Sequence, residues 1–173
     1  PPGPDTLYDE AKRRYKAVGD RVDRGVTAWV SLPKKQRQEM DAVRRLLTQA
    51  ADQGHAEAMF YMGALYGFGR GVKNDQGEAA RWYRNAADQG HTDAQFNLGY
   101  VYNKGEGVKQ DHVEAVRWYR SAADQGYAAA QFRLGNAYAD GEGVKQDHVV
   151  ACRWHRNAAD QGNAAAQFNL GNA

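Results

Sequence analysis

Only one cysteine, Cys152, stands in the 173 residues, which excludes an intrachain disulfide framework. Proline is nearly as scarce. Three of the four lie in the lead-in Pro1–Pro4, which is not expected to be helical, and the fourth is Pro33. No apolar run approaches the ~20 residues that a membrane helix needs, and the opening PPGPDTLYDE has no charged-then-apolar signal pattern. The expectation is a soluble chain of open compartment, cytoplasmic slightly favoured over periplasmic or secreted, since a signal could have been removed before residue 1. Charge of one sign is also in short supply. The net charge is +2; residues 1–50 carry 11 Lys/Arg against 7 Asp/Glu, and residues 51–173 carry 12 against 14. A dedicated nucleic-acid binder would show a strongly basic face, and the larger part of this chain leans acidic. No phosphate-cradling glycine loop, nucleophile elbow or pair of catalytic carboxylates is present.

What is abundant is repetition. The stretch AADQG ends at Gly54, Gly90, Gly126 and Gly162, and its Asp residues fall at 52, 88, 124 and 160, a constant step of 36. A fixed period of this length marks a stacked repeat architecture. Residues 51–86, 87–122 and 123–158 make three full copies, and 159–173 begin a fourth. That fourth copy breaks off inside its first helix, which suggests a shortened chain or an open apolar edge.

In the second copy, helix A is expected from about His91 to Asn103. Its repeated positions are Ala94, Phe96, Leu98, Gly99 and Tyr102. The small residues let helices approach, and the large ones supply buried area. The loop KGEGVKQ follows, with Gly105 and Gly107 at left-handed turn positions and Val108 plugging the core. Asp111 caps helix B, and Glu114 completes a capping-box pattern that Asp75 and Glu78 repeat. Asp147 keeps the cap, but Val150 replaces the Glu, so that helix should start less firmly. Helix B buries Ala115, Trp118, Tyr119 and Ala122 at helical spacing and ends at Gly126.

Ahead of the repeats, Asp5 or Thr6 is a plausible cap. The stripe Tyr8, Ala11, Tyr15, Val18, Val22 and Trp29 predicts a long amphipathic helix to about residue 30. Ser31-Leu32-Pro33 is a break. Met40, Val43, Leu46, Leu47 and Ala50 then read as the second helix of a degenerate repeat. The first helix has no later counterpart in the period. Residues 1–50 therefore read as an N-terminal helical hairpin that caps the repeats at 51–173. The alternative is a docking or dimerisation helix, because Tyr8–Trp29 approximates a heptad seam.

The pattern A-x-A-Q-F-x-L-G-x-x-Y, then G-x-G-V-x-x-D, then A-x-x-W-Y-x-x-A-A-x-Q-G resembles the Sel-one-like repeat family, relatives of the tetratricopeptide repeat. Residues 51–173 match it closely, 33–50 weakly and 1–32 not at all. The resemblance implies an all-α, right-handed solenoid of antiparallel helix pairs, with helix A lining the concave side. It also implies a non-catalytic adaptor that assembles protein complexes. One branch of the family carries a disulfide in each repeat, and a lone Cys152 excludes that branch.

If the repeated positions make the core, the varying positions of helix A should face outward. They are Glu57, Tyr61, Ala64 and Phe68 in the first copy, and Asp93, Asn97, Tyr100 and Lys104 in the second. In the third they are Ala129, Arg133, Asn136 and Asp140, and in the fourth Ala165, Asn169 and Asn172. Steps of four, three and four put each set on one face. Rings for anchoring and amides for backbone pairing suit a peptide or protein segment; a merely solvated face is the plainer alternative. Tetratricopeptide domains of the clamp type grip a terminal carboxylate with Asn, Lys and Arg. Asn97 and Arg133 fall where two such residues would stand, but Phe60, Ala64 and Ala129 occupy the lysine places.

His148, Cys152 and His155 share helical spacing and could suggest a metal or a thiol site. However, position 152 corresponds to Val116 and Ala80, a packing slot, and 155 corresponds to Tyr119. His55 and His91 share a repeat position and read as frame residues at a helix start. The runs Arg81–Arg84, Arg117–Arg120 and Arg153–Arg156 mix base and ring. Their rings serve the core, and their Arg residues sit outward where carboxylates screen them. The expectation is therefore an interaction scaffold with no cofactor, no metal, no nucleic acid and no enzymatic chemistry. Self-assembly, as a homodimer through the N-terminal helix or the open C-terminal edge, is the alternative.

Overall fold

The computed structural model describes residues 1–23 and 29–171, except the side chains of 21, 23, 30, 170 and 171. Among the described residues every regular element is helical. The helices are α1 (Pro4–Asp23), α2 (Lys34–Asp52), α3 (Ala56–Phe68), α4 (Gln76–Asp88), α5 (Thr92–Lys104), α6 (His112–Asp124), α7 (Ala128–Asp140), α8 (His148–Asp160) and α9 (Ala164–Gly171), with a 3-10 turn at Trp29–Ser31 before α2. The chain forms two compact units, Pro1–His91 and Thr92–Ala173. In the first, α1 pairs with α2 and α3 with α4; in the second, α5 pairs with α6 and α7 with α8, and α9 packs on α8. This is the all-α, tetratricopeptide-like arrangement of successive helix pairs expected from the period.

The AADQG stretch is a helix stop of defined geometry. After each helix B the Gly takes a left-handed φ, from +84° at Gly162 to +87° at Gly126. In the second unit, Gly126 N donates to Ala123 O at 2.9 Å and Tyr127 N to Ala122 O at 3.1 Å. That pair of bonds is the Schellman motif, which satisfies carbonyls the helix would otherwise strand. The Ala residues sit where helices cross: Ala86, Ala94, Ala122, Ala130 and Ala158 are fully buried.

Asp75, Asp111 and Asp147 cap their helices as expected; Asp111 accepts from Val113 N and Glu114 N, both at 3.0 Å. The Glu half of the capping box is different. The N–H of Asp111 already donates to Tyr102 O at 3.0 Å, as Asp75 N does to Tyr66 O and Asp147 N to Tyr138 O. A carbonyl of the preceding helix A thus takes the donor that Glu114 would serve. Glu78 and Glu114 turn instead to Arg81 and Arg117, three residues on. For the same reason α8 does not lack a cap bond for want of a Glu at Val150: Val150 N still reaches Asp147 at 3.0 Å.

Three further expectations change. Pro4 is helical, in the first turn of α1, where its missing N–H costs nothing; Leu7 N donates to Gly3 O at 3.1 Å, so the helix begins ahead of Asp5 and Thr6. Trp29 lies in the 3-10 turn rather than in a helix continuing to residue 30; residues 24–28 of that stretch lie outside the described residues. Without a counterpart in the period, α1 nevertheless packs as a helix A does. Leu7, Ala11 and Val18 are buried, as are Met40, Val43 and Leu47 of α2. Arg14 also bridges Glu10 and Glu39 across the α1–α2 pair.

Candidate functional site

The helix A faces hold the residues that break the period. None of the described ones is buried, whereas their repeated neighbours Leu98 and Leu134 are almost completely so. Gly63, Gly99 and Gly135 bring helix B close beneath this face. A Cβ at Gly99 would fall 2.7 Å from the Tyr119 ring, and one at Gly135 would fall 2.4 Å from the His155 ring.

In the first unit, Tyr61 meets Tyr8 and Tyr15 of α1 edge-on, with ring centroids 5.7 and 6.3 Å away. Tyr8 Oη donates to Glu57 at 3.3 Å, and His91 Nε2 donates to the other Glu57 oxygen at 2.9 Å. Burial, then Tyr61 and Glu57, push the Tyr8 hydroxyl well above its usual range. His55 caps α3 by accepting from Ala58 N at 3.1 Å, so both histidines are frame residues, as expected. Phe68 is 66% exposed, with the Arg70 guanidinium 5.1 Å from its ring.

In the second unit, Arg133, Asn136 and Asp140 line one small cleft of about 140 Å3 together with Asn103, His112 and Tyr119. Asn136 Oδ1 accepts from His155 Nε2 at 2.9 Å and from Asn169 Nδ2 at 3.4 Å. Three predicted residues are thus gathered in the cleft and a fourth, Asn169, is tied to it. Burial pushes the Tyr119 hydroxyl up to about 12, against the opposing charge of Arg133 and with a smaller push from Tyr100. Asp93 is engaged elsewhere: it accepts from Tyr127, whose hydroxyl is raised mainly by burial. Asn97 and Tyr100 are half-buried, and Lys104 is exposed.

The sequence reading missed Asn103 and His112, which approach each other at 3.2 Å. It had a signal for Asn103, since the same repeat position holds Gly67 and Ala139. It also missed an amide ladder in which exposed Gln125 and Gln161 reach buried Gln95 and Gln131. Gln125 Nε2 donates to Gln95 at 2.7 Å and Gln161 Nε2 to Gln131 at 2.8 Å. Gln131 in turn donates to Ala123 O at 3.2 Å, stitching α7 to the end of α6.

His148, Cys152 and His155 do not converge. His155 is buried under Gly135, whereas His148 and Cys152 are exposed. The exposure of Cys152 corrects the packing-slot expectation. Val116, its repeat mate, belongs to a cluster against which Val144 and Trp154 of the next copy pack. Among the described residues no group of three or more His, Cys, Asp or Glu could hold a metal ion. Of the outward Arg residues, Arg81 and Arg117 pair with carboxylates as expected, and Arg117 also covers Trp118 at 5.6 Å, whereas Arg120 donates to Tyr138 Oη.

Burial lowers the His155 pKa, against a smaller raising influence of Asp140. A histidine whose folded pKa is depressed contributes fully above the unfolded value of about 6.5, and that contribution is lost as pH falls below it. Thermal melts should therefore drop between neutral and mildly acidic pH. His155→Tyr, which restores the ring of the other copies, should flatten that drop; an unchanged pH profile would show that His155 does not carry it.

No helix among the described residues is long and apolar enough to cross a membrane. A sequence model of the family described as Sel1 repeat matches residues 44–55, 56–91, 92–127 and 128–163. Among solved structures, a Sel1 repeat protein from Oxalobacter formigenes is 38% identical with a TM-score of 0.72, over 79% of this chain and 56% of its own. The protective antigen c5321 of uropathogenic Escherichia coli, which displays an SLR fold, is 35% identical with a TM-score of 0.76. That match covers 99% of this chain and 36% of the antigen, so the chain spans well under two thirds of either relative. Helicobacter pylori cysteine rich protein B, at 21% identity and TM-score 0.55 over 73% of this chain and 96% of its own, shares the fold. Among curated protein sequences none matches.

Proposed function

Because the chain belongs to the Sel1 repeat family, whose members are generally protein-interaction scaffolds, we propose that its helix A faces hold a segment of a protein partner and that the chain performs no chemistry of its own. The observation that carries this reading is the division of labour within each repeat. Helix A positions that keep the period, such as Ala94, Leu98, Ala130 and Leu134, are buried, whereas those that break it, Tyr61 and Phe68 in the first unit and Asp93, Asn97, Tyr100, Lys104, Arg133, Asn136, Asp140 and Asn169 in the second, are half-buried or exposed. Tyrosine and arginine are the residues that most often dominate binding energy at such surfaces, and the amide of Asn97 matches the donor-acceptor pattern of a peptide backbone. Residues 1–50 act in this scheme as a cap on the array, with the apolar side of α1 shared between α2 and Tyr61 of α3.

The test is a peptide library selected against the chain. Replacing Tyr100 and Arg133 together with Ala should weaken the selected peptides by about 2 kcal/mol or more, the range of interface hot spots. The thermal midpoint should hold, because Tyr100 is only half-buried and Arg133 is exposed. Undiminished binding by the double variant would remove this face as the site.

A further inference from the structure

We propose that a cleft between α1, the Trp29–Ser31 turn and the end of α3 receives an acidic segment of the partner, with a carboxylate on Arg70 and an apolar side chain against the neighbouring rings. This deepens, and rests on, the helix A reading given above.

The cleft encloses about 320 Å3 and lies wholly within the first unit; Lys12, Tyr15, Lys16, Trp29, Tyr61 and Arg70 form its useful walls. Tyr15 and Trp29 stack with centroids 5.5 Å apart and planes inclined by 17°, and Tyr61 stands edge-on to Tyr15. Arg70 is oriented from three sides. Its Nη1 donates to Tyr15 Oη at 2.7 Å, and its guanidinium lies 5.8 Å from the Trp29 ring and 5.1 Å from the Phe68 ring. These contacts fix the planar fork while committing one of its five N–H donors, and no carboxylate pairs with it among the described residues. A pre-oriented guanidinium beside apolar rings suits two-point recognition of a carboxylate.

The period shows that this site is particular to one copy. Where Arg70 stands, the next two copies have Glu106 and Glu142. Where Tyr61 and Phe68 stand, they have Asn97 and Lys104, then Arg133 and Asp140. The inter-helix turn tolerates either charge, so the fold does not demand Arg70. Lys12 and Lys16 lie one turn apart on α1 at the same cleft, both exposed. Asp20 is the one acid among its described lining residues. Three cations facing one acid, with rings between them, complement an acidic stretch that carries an aromatic or aliphatic residue.

The probe is a fluorescein-labelled decapeptide that alternates glutamate with leucine and tryptophan, compared by anisotropy with the same peptide carrying glutamine for every glutamate. The intact chain should prefer the acidic peptide by about tenfold or more, and added salt should erode that preference. Arg70→Glu, which installs the residue of the other copies, should abolish it. If Arg70→Glu lowers helix content, the Lys12→Gln/Lys16→Gln pair on the exposed side of α1 reads the same preference and should reduce it. The proposal is overturned if the two peptides bind alike, if neither binds, or if the preference survives these substitutions. Loss of library-peptide binding in the Tyr100/Arg133 variant, without any acidic preference in the intact chain, would leave the helix A reading standing and sink only this one. An acidic preference that depends on Arg70, with library peptides undiminished in that variant, would do the reverse.

Discussion

Gly99→Ala is expected to destabilise the protein, and to become neutral or stabilising once Tyr119 is also Ala. Two effects compete at this position. Alanine is the better helix former by about 1 kcal/mol, but its Cβ would sit 2.7 and 2.8 Å from two atoms of the Tyr119 ring and 3.2 Å from Ala115 O. Overpacking of that kind costs about 1–3 kcal/mol. The ring cannot swing aside, because Tyr119 is 3% exposed and packs in the cluster of Ala115, Ala122 and Leu134. Tyr119→Ala alone should cost about 3–5 kcal/mol, as for other large aromatic truncations. The double variant removes the ring clash and leaves only the 3.2 Å approach to Ala115 O, which a shift of a few tenths of an ångström into the vacated space relieves, so helix propensity decides the sign of the second change. Denaturant melts of the four proteins measure the coupling. Additive effects would mean that the ring does not press on Gly99.

Gly143→Ala should be among the most damaging single changes in the chain, costing about 2–5 kcal/mol when left-handed strain and overpacking combine. Gly126→Ala should cost only the strain, about 1–2 kcal/mol. Both glycines have positive φ, +70° and +87°. Their surroundings differ. A Cβ at Gly126 meets nothing within 4 Å, whereas one at Gly143 would fall 2.1 Å from His112 O and 2.4 Å from its carbonyl carbon. The α7–α8 turn is thus seated on the start of α6, and Gly143 is the point of contact. Equal losses in melts of the two variants would show that the turn does not dock there.

The period makes Gly143 the counterpart of the turn residue Gly107, and a turn is only half of what it does. The same limit recurs wherever a partner comes from another helix. Asp111 was legible as a cap because it acts on its own helix. The diversion of Glu114 was not, because it depends on Tyr102 O. The burial of Ala94, Leu98 and Tyr119 followed from the period, since neighbouring copies supply equivalent walls. Cys152 holds the same repeat position as Val116, which is buried, yet it is exposed. The pairing of α1 with α2 had no period to announce it. At the candidate site, the outward face was legible from the positions that vary between copies. The gathering of Arg133, Asn136 and Asp140 with Asn103 and His112 was not, because it requires α5, α6 and α7 to converge. Gln125 was hidden inside the AADQG punctuation, although its side chain joins Gln95. Arg70 lies in a turn, beyond the stretch searched for helical spacing.

The central claim is that partners meet the helix A faces, and site-specific photo-crosslinking tests it most directly. A benzophenone amino acid is placed in turn at Asn97, on the outer face of α5, and at Val113, 65% exposed at the start of α6. With a peptide selected from the library, crosslinking should occur from position 97 and be absent from position 113. Crosslinking from 113 and not from 97 would contradict the account.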